Sequence, residues 1–174
     1  MKGESNSGPA DKIVIERTYL ASIEDVWELW TTKEGIESWW GPDGFSVKVH
    51  ELDLRAGGEM RYTMTAVGPV QVRFMEQSGM PLTTEAKLTY TEIVSGKSIA
   101  YTHRADFIPG VDPYDAGNKV ELFAQGESVR MVVTLDPMHC DEWTQRAVMG
   151  MESQLEKLAR VLVGRRHPNR GSYA

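Results

Sequence analysis

Residues 141–163, with the sequence DEWTQRAVMGMESQLEKLARVLV, carry the pattern that decides the fold. Apolar residues recur there at steps of four, four, four, three and four: Trp143, Ala147, Met151, Leu155, Leu158 and Leu162. Because an α-helix has about 3.6 residues per turn, these side chains share one face. The pattern predicts a long amphipathic helix that ends at Gly164 and packs its apolar face on a large partner surface.

Six stretches before this helix alternate between apolar and polar residues. The predicted strands are Phe45–Asp53, Glu59–Ala66, Ala86–Val94, Ser98–Phe107, Lys119–Gln125 and Ser128–Leu135. Glycine-containing connections of a few residues, which are typical of hairpins, separate several of them. The series predicts an antiparallel meander that buries one face against the C-terminal helix.

The start of the chain adds one strand and two short helices. Ile13 opens a β-branched run typical of a strand, and Ser22 is a typical N-cap for a helix that ends near Thr32. A second helix, Lys33–Trp39, should follow and end before the Gly41-Pro42 pair. The predicted fold is α+β: a curved antiparallel sheet of six to seven strands wrapped around the long helix.

Composition predicts one domain over residues 12–164. The chain has 174 residues, of which 25% are charged and 41% are hydrophobic, as in ordinary globular proteins. Both ends are polar and contain proline and glycine, so residues 1–11 and 165–174 are predicted to be disordered tails.

Charge and cysteine content exclude several classes of function. A net charge of −6 without a basic stripe disfavours nucleic-acid binding, and no apolar run approaches the ~20 residues that span a membrane. Cys140 is the only cysteine, and the histidines lack metal-ligand spacing, so no metal site is predicted. No phosphate-binding or dinucleotide-binding motif is present, so no cofactor is expected. We expect a cytoplasmic protein, monomeric or homodimeric.

Three sequence features resemble a known superfamily. Trp39-Trp40-Gly41-Pro42, the Gly57-Gly58 pair and the stretch 92–102 resemble the START-like, Bet v 1-like (SRPBCC) proteins, and in particular the bacterial branch related to the activator of the heat-shock-protein ATPase. The resemblance covers residues 12–163. It implies a helix-grip fold with a cavity between the sheet and the C-terminal helix, in a superfamily whose members bind lipids, polyketides and other apolar molecules.

Nine residues are candidates to line that cavity and bind a small hydrophobic ligand: Trp39, Tyr62, Met64, Tyr101, His103, Met131, Trp143, Met151 and Leu155. Most supply apolar contacts, while Tyr62, Tyr101 and His103 supply the few polar groups that orient a ligand in such pockets. Trp40 is interpreted instead as structural packing.

Two other functions stay open at this point. The resemblance also implies a co-chaperone that stimulates a heat-shock ATPase through an exposed surface. A third hypothesis is a cyclase or hydrolase in which His103 acts with a tyrosine as general base, although a satisfied core histidine is the simpler interpretation. The long connection 67–85 is either a lid over the site or an ordinary insertion, and 108–118 is a second long connection.

Overall fold

The computed structural model describes residues 11–106 and 110–166. Within these ranges the chain forms seven strands and four helices, in this order: β1 (Ile13–Tyr19), α1 (Ile23–Thr31), α2 (Lys33–Trp39), β2 (Phe45–Leu52), β3 (Glu59–Ala66), α3 (Pro69–Gln77), β4 (Thr83–Val94), β5 (Ser98–Ala105), β6 (Tyr114–Gln125), β7 (Ser128–Leu135) and α4 (Asp141–Arg166). The predicted α+β helix-grip architecture is confirmed.

The strands form one antiparallel sheet in the order β1-β7-β6-β5-β4-β3-β2. From β2 to β7 each strand pairs with the next one along the chain, as the meander prediction requires. β1 pairs instead with β7, so the two sheet edges are β1 and β2, which are neighbours in sequence. The helices α1 and α2 connect these edges and pack with α4 over the inner face of the sheet.

Side-chain caps fix where the two short helices begin. The Ser22 hydroxyl accepts a hydrogen bond from the amide of Asp25 at 3.1 Å, which confirms the predicted N-cap of α1. Thr32 caps α2 in the same way, with its hydroxyl 3.0 Å from the amide of Gly35. The chain leaves α2 at Trp40, immediately before the Gly-Pro pair.

Only the second half of the apolar face of α4 is packed in the core. Met151, Leu155, Leu158 and Leu162 are all at most 6% exposed, and they contact the same apolar cluster as the inward residues of the sheet. At roughly 1.5–3 kcal/mol for each fully buried large aliphatic side chain, this four-residue stripe is a main source of the helix's attachment. The first half of the helix has a different role, described below.

Several predicted boundaries were wrong. β6 begins at Tyr114 rather than Lys119, so much of the supposed 108–118 connection is strand; residues 107–109 lie outside the described part. The 67–85 connection contains the helix α3, and β4 begins at Thr83.

The helix α4 continues through Gly164 to Arg166. Arg165, predicted to lie in a disordered tail, forms an ion pair with Glu28 of α1 at 3.0 Å. This contact gives the extra turn a partner on the neighbouring helix. Residues 1–10 and 167–174 of the two predicted tails lie outside the described residues.

Candidate ligand-binding cleft

A cleft of about 700 Å³ lies between the first half of α4 and the inner face of the sheet. We call this space the cleft. It is lined by residues from the end of α2, from β2 to β7 and from α4: Trp40, Gly41, Pro42, His50, Arg61, Tyr62, Met64, Glu85, Ala86, Lys87, Leu88, Tyr101, His103, Arg104, Asp106, Ala116, Asn118, Leu135, Asp136, Met138, Ala147, Gly150, Met151 and Gln154.

Small residues on α4 explain why the cleft is open. Ala147 and Gly150 occupy the stretch of helix that faces it: Ala147 lies one turn before Met151, the first residue of the packed stripe, and Gly150 directly precedes Met151. A Cβ atom added at Gly150 would meet no described atom within 4 Å outside its own stretch of helix. Large side chains here would fill the space, as Leu155 and Leu158 do in the next turns. The sequence of α4 therefore closes one half of the fold and leaves the other half open.

Three aromatic side chains form the deep wall of the cleft. Trp40 lies between Tyr62 and Tyr101, with ring centroids 6.3 Å and 6.0 Å away in edge-on and tilted arrangements. Burial raises the pKa of both tyrosines, and the neighbouring indole of Trp40 opposes that effect at Tyr62. Both phenols are therefore neutral at physiological pH and offer apolar faces with one hydroxyl each.

A polar network lies next to this wall. Asn118 is only 9% exposed, and its Nδ2 lies 3.3 Å from Nδ1 of the half-buried His103. Asn118 is also the direct partner of Tyr101 across β5 and β6, and it opposes the rise in the Tyr101 pKa that burial causes. An amide nitrogen only donates, so Nδ1 of His103 accepts and the neutral ring carries its hydrogen on Nε2.

Burial is also the main influence on the pKa of His103. It lowers that pKa, while the carboxylates of Asp115 and Asp136 act in the opposite direction. The net effect favours the neutral ring at physiological pH. At that pH the ring therefore carries one N–H group, at Nε2, and no positive charge.

The loop 40–45 is fastened to α4 at the margin of the cleft. The buried amide of Gly41 donates to Oε1 of Gln154 at 2.7 Å, and Nζ of Lys157 donates to the carbonyl oxygen of Gly41 at 3.0 Å. Arg160 adds an ion pair with Asp43 at 2.9 Å. These contacts set the distance between α4 and the loop that carries Trp40.

Exposed charged residues border the cleft: Arg61, Glu85, Lys87, Arg104 and Asp106. Both signs are represented, and Arg104 is paired with Asp115 at 3.4 Å. This margin shows no strong preference for either sign of charge. The selectivity of the site therefore depends on its interior.

Comparison with known families is consistent with this geometry. Residues 20–163 match the sequence profile of the family described as "Activator of Hsp90 ATPase homolog 1-like protein". The chain belongs to this family. The match covers more than half of the sequence, from the end of β1 to the last turns of α4, so it includes nearly every element that builds the cleft.

Solved structures share the fold of this family member at low sequence identity. The AHSA1 protein from Silicibacter pomeroyi aligns with a TM-score of 0.68 and 18% identity, covering 88% of this chain and 98% of that one. A protein from Arthrobacter aurescens aligns with a TM-score of 0.68 and 22% identity over 87% and 86% of the two chains. A Chromobacterium violaceum protein gives 0.67 and 21%, covering 87% and 97%. No curated protein gives a significant sequence match.

Within this AHSA1-like chain, five of the nine predicted residues line the cleft: Tyr62, Met64, Tyr101, His103 and Met151. They come from β3, β5 and α4. The alternation of the strands and the periodicity of the helix were therefore sufficient to place them on the correct faces.

Three of the other four predicted residues are core residues. Trp39 is fully buried and donates its indole N–H to the carbonyl oxygen of Leu29 at 2.8 Å, so it does not stand at the mouth of the site. Met131 and Leu155 are 0% and 1% exposed and lie in the packed part of the sheet-helix interface rather than at the cleft.

Trp143 also lies outside the lining. It stands in the first turn of α4, where the guanidinium of Arg146 lies 4.9 Å from its ring centroid and the His139 ring is 6.3 Å away. The helical spacing put Trp143 on the same face as Ala147. Trp143, however, lies one turn nearer the N-terminus of α4, where that face meets these neighbours instead of the cleft.

Three of the lining residues that sequence reasoning missed show why such residues are hard to find. Trp40 was interpreted as packing, and it is indeed 7% exposed within the core cluster, but it also lines the cleft. Asn118 was placed in a connection, although it stands two residues before Val120 and so continues the inward alternation of β6. Gly150 gave no apolar signal at all, because its contribution is the space it leaves.

The helix α3 supplies no lining residue, which does not support the lid interpretation. It anchors one buried side chain, Met75, and leaves Val70 and Phe74 exposed at 71% and 60%. Val67, just before the helix, is also exposed, at 58%. α3 thus presents an apolar surface to solvent.

Among residues 11–106 and 110–166, no group of three or more His, Cys, Asp or Glu side chains is arranged to hold a metal ion. None of the helices in those same ranges is long and apolar enough to cross a membrane.

Proposed function

We propose that this protein binds a small hydrophobic molecule in the cleft. The observation that carries the proposal is an open space of about 700 Å³ between the sheet and α4. Small-molecule sites typically measure about 300–1,000 Å³ and combine apolar walls with a few polar groups. The cleft fits both criteria.

The lining supports an apolar and partly aromatic ligand. Tyr101 and Leu88 are each 3% exposed and Trp40 is 7% exposed, so the cleft reaches only a small part of each side chain, within a tightly packed apolar wall. A flat ring can pack against the edges and faces of the aromatic wall, where such contacts contribute about 0.5–1.5 kcal/mol beyond area burial. Met64 and Met151 add flexible thioether surface that adapts to irregular ligands.

Native mass spectrometry of the purified protein tests the proposal directly. We expect a non-covalent adduct that organic extraction releases and identifies as an apolar compound. The adduct should be reduced in Gly150→Leu, whose side chain projects into the cleft, and kept in Gly164→Leu, which alters the same helix away from it. A bare mass, together with no binding of added 2-ethylnaphthalene, would contradict the proposal.

A second candidate function is contact with a heat-shock ATPase, as the family description suggests. The specific observation in its favour is the exposed apolar surface of α3, where Val70 and Phe74 lie one turn apart. Phe74→Ser should reduce stimulation of the purified ATPase without changing the stability of this chain, because Phe74 is 60% exposed. An unchanged ATPase rate on addition of the wild-type protein would count against this function.

The proposal does not extend to catalysis by His103. A general base must present a lone pair to the substrate, and the ring nitrogen of His103 that accepts a hydrogen bond is already occupied by Asn118. The other ring nitrogen carries the hydrogen. The geometry therefore favours binding through donation over proton abstraction.

A further inference from the structure

The hydrogen-bonding groups on the cleft wall are not equivalent, and their donors and acceptors can be assigned. Nδ1 of His103 accepts from Asn118, which leaves Nε2–H as the remaining donor of the ring. The hydroxyl of Tyr62 is a second donor, because burial raises its pKa and keeps the phenol protonated. Among the described residues, neither hydrogen has an acceptor.

The wall therefore presents donors, and a ligand that satisfies it must bring an acceptor. A buried donor left without a partner costs free energy, whereas one that meets an acceptor contributes to affinity. An apolar hydrocarbon of the right shape would fill the cleft but leave both hydrogens unpaired. A matching molecule with an acceptor on one side would satisfy at least one of them.

The charges around His103 decide what kind of acceptor fits. Asp115 and Asp136 both act electrostatically on the imidazole, and Asp136 also lines the cleft. Each carboxylate has a basic partner outside, Arg104 and Lys12 respectively, but both remain anionic neighbours of the ring. A ligand carboxylate placed at Nε2 would meet repulsion from them. A neutral oxygen would not.

On this basis, and resting on the proposed function, we infer that the ligand of the cleft is a neutral apolar molecule carrying a carbonyl-type acceptor, which Nε2–H of His103 recognises. The aromatic wall of Trp40, Tyr62 and Tyr101 holds the apolar body. Asn118 acts as a positioning residue that fixes the imidazole through Nδ1. No bond is made or broken in this recognition.

Three probes of the same size separate this inference from the proposed function: 2-acetylnaphthalene, 2-ethylnaphthalene and 2-naphthoate, each titrated by calorimetry at pH 7.5. We expect the ketone to bind about three- to tenfold more tightly than the hydrocarbon, the range typical of one net hydrogen bond, and the carboxylate to bind most weakly. Because this comparison uses the wild-type chain, it does not depend on any variant folding.

Matched variants assign the effect to His103. His103→Leu should abolish the preference for the ketone over the hydrocarbon, whereas His103→Gln, whose amide can donate from a similar position, should keep part of it. Equal binding of ketone and hydrocarbon in the wild type, tighter binding of the carboxylate, or a preference unchanged in His103→Leu would overturn the inference while leaving the proposed function intact. Binding of none of the three probes would overturn both.

Discussion

A large side chain that projects into the cleft from α4 should both stabilise the protein and weaken ligand binding. Gly150 lies in the interior of α4, and a Cβ at this position meets no described atom within 4 Å outside its own stretch of helix. Gly150→Ala should therefore gain about 0.5–1 kcal/mol, the usual difference between glycine and alanine inside a helix. Gly150→Leu should gain about 1 kcal/mol more, because its side chain would be partly buried against the apolar wall.

Urea unfolding followed by circular dichroism gives the stability, and calorimetric titration with 2-acetylnaphthalene gives the affinity. We expect Gly150→Leu to weaken binding at least tenfold, a loss of about 1.4 kcal/mol, and Gly150→Ala to weaken it much less. Gly164→Leu is the matched control: it also has open space at Cβ and lies in the same helix, but it does not line the cleft. Its affinity should equal that of the wild type.

Two results would refute this reasoning separately. If Gly150→Leu loses more than about 1 kcal/mol of stability, the added side chain is overpacked and the space beside α4 is not open in solution. If the variant is stable and still binds the probe with wild-type affinity, the probe occupies another site. A loss of affinity in Gly164→Leu as well would attribute the effect to the helix as a whole.

Three further predictions follow from burial, backbone geometry and protonation. Leu155→Ala should lower the free energy of unfolding by about 2–5 kcal/mol, because Leu155 is a core residue. It should change probe affinity less than threefold, because Leu155 does not line the cleft. A large loss of affinity at constant stability would contradict this placement. Gly41→Ala should lower the free energy of unfolding in urea by about 1–2 kcal/mol, because Gly41 has φ +86° and an added Cβ would lie 3.1 Å from the Val47 side chain. An unchanged midpoint would show that the loop adapts. Because burial lowers the pKa of His103 below its ordinary value of 6.5, the unfolded chain takes up a proton before the folded one does as the pH falls below about 6.5. Stability should therefore decrease from there down to the folded-state pKa, and His103→Gln should flatten that part of the stability profile; identical profiles would refute it.

The fold was predictable because its elements have strong periodic signals. The steps of three and four in α4 and the alternation in β3, β5 and β7 each require a buried face, and only a sheet covered by a helix provides both faces at once. The boundaries were harder. Gly164 was predicted to end α4, but an ion pair between Arg165 and Glu28 accompanies two more residues of helix. Such a contact between distant parts of the chain leaves no local signal.

The site was predictable only where a lining residue is itself apolar or aromatic on an inward face. Tyr62 and Tyr101 met that condition. Trp39 and Trp40 are adjacent and both belong to the core cluster, but Trp40, where the chain leaves α2, also lines the cleft and Trp39 does not. Sequence spacing could not distinguish these two tryptophans.

The cleft itself follows from a difference between the two halves of one helix. A stripe of Met151, Leu155 and Leu158 makes α4 adhere to the sheet, and this anchors the helix at a fixed distance. Once that distance is set, the smaller Ala147 and Gly150 cannot reach the sheet, and the space remains. Substitutions in the packed half should therefore change stability, and substitutions in the open half should change which ligand fits. The separation explains how a single amphipathic helix can hold the fold together and still leave room for a bound molecule.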